Sequence, residues 1–316
     1  MREDALEGLI LPPPTLTGPQ TADVAGVDFE VSQRIWHALG MPHVEDETVA
    51  FSDKDAEALG AVKRLLDLGL PVDSLVAVSR VMGQALARVA DVESRLAREH
   101  LAGGVDIGEA IAPEAKTLLG ELLADSGSLL EHVFRRHLWV ATQQMNETDH
   151  TGHAAPMGAG FADLVAFSRT MEGLDEKDLE ALISRFEQMV IELCADHGVR
   201  LVKIVGDAAM FVGHDPQRVL SLAETIVKEV DRDAELTQAR AGLDFGPVLP
   251  VGGDYFGRAV NVASRATVLA RPGTVVMTRG FLDAVPAGSV EVSRIGPKRL
   301  KNLGRVTLFR VKTPFS

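Results

Sequence analysis

Cysteine is almost missing from this chain: among 316 residues there is one, Cys194. A single thiol cannot close an internal disulfide, which fits a reducing cytoplasm and excludes small disulfide-stapled secreted folds. Cys194 lies in F-E-Q-M-V-I-E-L-C-A, on the apolar stripe of an expected helix, and reads as a buried small hydrophobe. Long apolar runs are also lacking. None reaches ~18 residues, so no membrane-spanning helix is expected. The start, M-R-E-D-A-L-E-G-L-I-L-P-P-P, is acidic and broken by proline, unlike a secretory signal. Positive charge is in short supply, with a net charge of −13. That argues against nucleic-acid or anionic-membrane binding over the whole surface, while a local basic groove for a nucleotide stays compatible. What is present is an ordinary globular composition, 46% apolar, in a length that favours two domains over one.

The halves read differently. Residues 1–20 are rich in proline and are expected to lack regular structure. From Thr21 to about Leu101 the pattern is helical throughout, with turns near Gly26, Gly40 and Pro71 and an N-cap at Ser52-Asp53-Lys54-Asp55. Ala102-Gly103-Gly104 breaks the pattern. A short helix, E-A-K-T-L-L-G-E-L-L, follows Pro113, and a separate one runs from about Ser128 to Met145. A polar linker is expected over Asn146–Gly160, and the domain boundary falls within it, giving domains 1–155 and 156–316. From Phe161, short apolar strands alternate with helices, and Gly206-Asp207 marks a tight hairpin. The expected class is α+β: an all-α N-terminal domain, then a ferredoxin-like mixed sheet covered by helices.

Six polar residues stand out in the second half, in F-A-D-L-V-A-F-S, V-K-I-V-G-D-A-A and G-D-Y-F-G-R-A-V-N-V-A-S-R-A: Asp163, Lys203, Asp207, Asp254, Asn261 and Arg265. Asp163 ends an apolar strand and Asp207 occupies a turn between two others. Two carboxylates at adjacent strand ends make a hard-oxygen site suited to Mg²⁺ or Mn²⁺. Lys203 lies between Val202 and Ile204, on the opposite strand face from both. Asn261 and Arg265 are four residues apart and share one helix face.

These motifs resemble the catalytic domain of class III nucleotidyl cyclases over roughly residues 157–313. The resemblance implies an adenylyl cyclase that converts ATP to 3′,5′-cyclic AMP and pyrophosphate. It implies two metal ions, Mg²⁺ or Mn²⁺, held by Asp163, Asp207 and Leu164. Lys203 and Asp254 would read the adenine, where guanylyl cyclases carry Glu and a small residue. The turn through Phe167 and Ser168 would cradle phosphates at a helix N-terminus. Asn261 would orient the ribose, Arg265 would stabilise charge on the reacting phosphate, and Lys301, with Lys298 as the alternative, would touch phosphate. Ala166 and Ser168 depart from the family's Gly and Thr. The family also builds each site from two chains, so a homodimer with two equivalent sites is implied.

The stretch T-A-D-V-A-G-V-D-F-E-V-S-Q-R-I-W-H-A-L-G followed by A-F-S-D-K-D-A-E-A-L resembles the winged helix-turn-helix of MerR-type regulators. Domains of similar pattern precede the cyclase domain in actinobacterial enzymes, including pH-responsive mycobacterial ones. Residues 1–100 hold nine Lys and Arg against seventeen Asp and Glu, a poor match to a phosphate-dominated interface. A regulatory or dimerising module is therefore expected there rather than a DNA reader. His132, His137, His150 and His153 cluster in the joining helix and linker, where protonation near neutral pH would change charge. Two other readings stay open at the sequence level, a catalytically silent nucleotide-binding dimer and a DNA-binding regulator.

Overall fold

The computed structural model describes residues 10–101, 113–147, 154–167 and 173–312. The chain forms two compact units, residues 1–149 and 150–316. Among the described residues, no helix is long and apolar enough to cross a membrane.

Helix caps organise the first unit. Thr17 ends strand β1 (Leu16–Thr17) and opens helix α1 (Gly18–Ala25) with a capping box. The Thr17 N–H donates to Gln20 Oε1 at 2.9 Å, and the Gln20 N–H donates to Thr17 Oγ1 at 3.4 Å, satisfying two otherwise orphaned donors. The stretch expected to be irregular is therefore ordered from Leu16. It is pinned by pairing of β1 with β2 (Val49–Phe51) and by the Thr15 N–H, which donates to the Phe51 carbonyl at 2.7 Å. Strands this short carry no legible alternation, so the sequence reading of an all-helical region misses them.

Helix α2 (Phe29–Ala38) follows Gly26, and α3 (Asp53–Asp67) starts at the expected Ser52 cap, whose N–H donates to Asp55 Oδ2 at 2.8 Å. Trp36 and Phe51 meet edge to face with centroids 4.8 Å apart. With Phe29, Ile35, Leu59 and Val62 they line an apolar cavity of about 290 Å³. Helix α4 (Val72–Leu101) starts just after Pro71. Helix α5 (Pro113–Glu147) is continuous where two segments were expected. Gly120 and Gly127 each cost about 1 kcal/mol inside a helix, and the Leu, Glu and Ala around them outweigh it. His132 and His137 are exposed on α5, whereas His150 and His153 lie outside the described residues.

The second unit is a mixed sheet in the order β4-β5-β3-β6-β8-β10-β9. Its strands are β3 (Ala155–Leu164), β4 (Arg200–Val205), β5 (Ala208–Gly213), β6 (Ala239–Val251), β8 (Val275–Thr278), β9 (Val292–Leu300) and β10 (Gly304–Val311), with β7 (Asp254–Phe256) paired to the end of β6. Helix α6 (Glu176–His197) joins β3 to β4, and α7 (Pro216–Arg232) joins β5 to β6. The run β3-α6-β4-β5-α7-β6, with sheet order β6-β3-β5-β4, is the expected ferredoxin-like arrangement. Neighbouring strands are antiparallel except β6 and β8, which α8 (Arg258–Leu269) connects in parallel. Short α9 (Arg279–Ala284) precedes the β9–β10 hairpin.

Alternation along β3 separates two cores. Ala162 and Leu164 face α6 and α7, packing with Phe186, Val190, Phe211 and Ile226. Met157 and Ala159 face α8, packing with Ala259 and Ala263. Residues 155–160, expected in the linker, belong to this strand, and Met157–Gly160 are buried. Their small side chains look like a linker but serve packing. A Cβ at Gly160 would stand 2.2 Å from Phe211 Cε2 and 2.8 Å from Leu243 Cδ2.

Candidate active site

Strand register puts Asp163 on the α8 face of β3, opposite Arg240 on β6 and Ala208 on β5. Asp207 sits in the β4–β5 turn, partly buried, and its carbonyl accepts from the Leu164 N–H at 3.0 Å. That bond draws the turn against the end of β3, so the two carboxylates converge although 44 positions separate them in sequence. Burial pushes the Asp163 carboxyl above its ordinary range against the pull of Arg240, and the Asp207 charge adds to the rise. Two acids that repel one another in a half-buried place are a natural home for a cation. The Arg240 guanidinium already supplies one: Nε donates to Asp163 Oδ1 at 2.7 Å and Nη2 donates to Oδ2 at 3.1 Å.

The donor set fits a small divalent ion. Mg²⁺ commonly takes one or two carboxylates and completes its shell with water and substrate phosphates. Asp163, Asp207 and the Leu164 carbonyl are hard oxygen donors of that kind, and among the described residues no group of three or more His, Cys, Asp or Glu offers a competing site.

Lys203 and Asp254, 51 positions apart, form an ion pair between β4 and the start of β7. Lys203 lies opposite Met210 of β5, beyond a register shift in β4, and so shares the α8 face. Asp254 Oδ1 also accepts from the Tyr255 N–H at 2.8 Å. Burial raises the Asp254 carboxyl, but Lys203 and that N–H outweigh it and hold it below the usual carboxylate range. The Arg200 guanidinium lies 5.6 Å from the Tyr255 ring centroid, a cation–π contact that steadies the β7 hairpin.

Asn261 and Arg265 fall on the exposed side of α8, while Ala259, Val262, Ala263 and Ala266 bury the other side on β3 and β6. Gly257, with φ 150°, opens that helix. Phe167 is buried in the core, so only its backbone can face a phosphate. Ala166 adopts φ 60°, the left-handed conformation that glycine takes without strain. Ser168 lies outside the described residues. Lys301 is exposed in the β9–β10 turn and Lys298 is exposed on β9, at the sheet edge opposite β4. The sheet does not gather either lysine with Asp163 and Lys203 in one chain. Arg240 was missed by the sequence reading. Its signal was a lone cation inside the apolar strand A-R-A-G-L-D-F-G.

Convergent carboxylates, a Lys–Asp pair and an outward Asn–Arg face on a ferredoxin-like sheet are the features on which the resemblance to nucleotidyl cyclases rests. The chain matches the adenylate and guanylate cyclase catalytic domain over residues 153–313 and the adenylate cyclase regulatory domain over residues 15–141. It belongs to the adenylate and guanylate cyclase family of enzymes. A pH-sensitive adenylate cyclase of Mycobacterium tuberculosis (strain CDC 1551 / Oshkosh) is 33% identical over 303 residues, 91% of this chain and 75% of the relative. An adenylate cyclase of Streptomyces coelicolor is 31% identical over 282 residues, 88% of this chain and 74% of the relative. The solved adenylyl cyclase CyaB from P. aeruginosa covers 51% of this chain and 95% of its own, at 19% identity and a TM-score of 0.46.

Proposed function

We propose that this chain is a cytoplasmic, homodimeric adenylyl cyclase that converts ATP to 3′,5′-cyclic AMP and pyrophosphate, with the N-terminal unit regulating the C-terminal one. The Lys203–Asp254 pair carries the choice of base. An ammonium donor beside a carboxylate acceptor matches the adenine edge, whose ring nitrogen accepts and whose amino group donates. Guanine presents the opposite pattern, a ring N–H where adenine accepts and a carbonyl where adenine donates, and would form neither hydrogen bond.

In this reading Asp163, Asp207 and the Leu164 carbonyl would hold two divalent ions, which when bound would supply positive charge near the phosphates and lower the pKa of the ribose 3′-hydroxyl. Asn261 orients the ribose so that its 3′-oxygen faces the α-phosphorus. That oxygen bonds to phosphorus, the hydroxyl proton is lost, and the bond to the bridging oxygen breaks to release pyrophosphate. Arg265 is aimed at the charge that develops there, help worth on the order of 3 kcal/mol. Backbone N–H groups beyond Val165, whose own N–H is taken by the Gln238 carbonyl, hold the terminal phosphates, with Lys301 supplied by the second copy of the chain. Support for a shared site comes from α8, whose Asn261 and Arg265 face outward while its other side packs against the chain's own sheet. Support for regulation comes from the match of residues 15–141 to a regulatory domain.

Purified protein given ATP or GTP with Mn²⁺ tests the reading, with both cyclic nucleotides quantified by chromatography. Cyclic AMP should form with kcat/KM at least about tenfold above that for GTP. Equal turnover of the two nucleotides would remove Lys203 and Asp254 from the role of base readers. No product from either would leave the silent dimer.

A further inference from the structure

Lys203 reaches Asp254 only because β4 carries one residue too many. Arg200 pairs with Val212 of β5 and Leu201 with Phe211, yet the next partner, Met210, faces Lys203 rather than Val202. Val202 is therefore the extra residue of a β-bulge, a device that re-aims side chains beside functional sites. Leu201 and Ile204 pack into the core under α6 and α7, whereas Val202 packs with Met210 and Val212 on the α8 face. Strict alternation from Arg200 would have sent Lys203 into the α6 and α7 core. The bulge instead leaves Arg200 and Lys203 on one face, and each meets a residue of β7. The Arg200 guanidinium lies 5.6 Å from the Tyr255 ring centroid, and Lys203 pairs with Asp254.

We infer that Arg200, acting through the Tyr255 ring, is a positioning residue for base selection: it holds β7 so that Asp254 stands ready beside Lys203 when the nucleotide arrives. The inference rests on Lys203 and Asp254 being the base readers, as proposed above. β7 is three residues long, pairs with the end of β6 and not with β4, and follows a turn through Gly252 and Gly253 at φ 59° and 79°. Side chains must therefore bridge β7 to β4. The Lys203–Asp254 pair fixes closeness more than direction, because an ammonium has three donors and a carboxylate several acceptor positions. The Arg200–Tyr255 contact uses no group that a base would need. Its effect reaches Asp254 through one backbone link, since the Tyr255 N–H donates to Asp254 Oδ1 at 2.8 Å. The Tyr255 ring also packs, partly buried, on the α8-face core. A preset carboxylate favours the base that uses it. Loosening β7 should cost ATP, which bonds to both readers, and spare GTP, which bonds to neither.

Steady-state rates of the full-length protein with ATP and with GTP, both with Mn²⁺, test this. Arg200 is exposed, so Arg200→Met should spare the fold. It should lower the ATP-over-GTP ratio of kcat/KM by about two- to fivefold, the range an exposed cation–π contact allows, with the loss carried by a higher KM for ATP. Arg200→Lys, which keeps a cation over the ring, should lose less. Tyr255→Leu should lower the ratio as well, and adding Arg200→Met to it should lower the ratio no further, the signature of one shared contact. Lys203→Met separates two failures. If it abolishes the ATP preference while Arg200→Met leaves the ratio unchanged, Arg200 does not position the pair and the inference falls. If Lys203→Met keeps the wild-type preference, the base-reader assignment has failed and takes this inference with it. A second measurement needs no turnover. Tyr255 is the only tyrosine in the chain, so ¹³C-labelled tyrosine gives one set of ring signals in nuclear magnetic resonance. Arg200→Met should shift those signals and make the ring more mobile. Ring signals unmoved by the substitution would overturn the proposal.

Discussion

A single methyl group on β6 should silence the enzyme without unfolding it. Gly242 lies beneath α8, and a Cβ there would stand 2.2 Å from the Thr267 backbone nitrogen, 2.6 Å from Thr267 Oγ1 and 2.7 Å from the Ala263 carbonyl oxygen. Two of those atoms belong to the helix backbone and cannot rotate away. Ordinary contact begins at 3.4 Å, so Gly242→Ala must lift α8 from the sheet by roughly 1 Å. An extra methyl in a packed interior costs about 1–3 kcal/mol, which a domain of ordinary stability survives. The lift also carries Asn261 and Arg265 out of place, and a displacement of about 1 Å at reacting groups can cost on the order of 10²-fold in rate. Gly246→Ala is the matched control on the same strand, because its Cβ would meet only Ala259 Cβ, at 3.6 Å. Guanidinium denaturation and cyclic AMP formation, measured on both variants, check the argument. Gly242→Ala should stay folded with turnover reduced about a hundredfold, and Gly246→Ala should resemble wild type. The reasoning is refuted if Gly242→Ala keeps activity within about twofold of wild type, or if Gly246→Ala is equally damaging.

Other outcomes follow from named residues. Inactive Asp207→Ala and inactive Arg265→Ala proteins, mixed and allowed to exchange subunits, should regain activity through one intact hybrid site; heterodimers seen by native mass spectrometry without activity would end the shared-site reading. Ala166→Gly relieves a left-handed alanine at φ 60°. The strain is about 1–2 kcal/mol and the entropy gained by the unfolded chain about 0.4–1 kcal/mol, so denaturation should show a net gain of around 1 kcal/mol or less, never a loss. Glu224 is half-buried on α7, and burial alone pushes its carboxyl above the ordinary value. A carboxyl raised in the folded state loses protons later than in the unfolded chain, so its ionisation lowers stability as pH climbs from the unfolded value through the folded one. Glu224→Gln should therefore be more stable than wild type at pH 8, and the difference should close by about pH 4; an unchanged difference across that range would count against the burial argument.

Much of this protein is local and can be read from the chain. Ser52 with Asp55, Gly26 after α1, and Gly206-Asp207 between two apolar runs each fix a cap or turn within a few residues. The four-residue step from Asn261 to Arg265, with Val262, Ala263 and Ala266 between and after them, fixes which face of α8 is buried. The order of the motifs was enough to reach the family. Register decided the rest. Asp163 meets Arg240 across 77 positions, and Lys203 meets Asp254 across 51. Neither pairing has a local signal, because hydrogen bonds between strands distant in sequence set which residues face each other. Packing likewise settled what Met157–Gly160 are. The glycine-rich stretch resembles a linker until Phe211 and Leu243 are seen to close over Gly160. Composition can mark a residue as small, but only the neighbours that press on it show whether smallness serves freedom or contact.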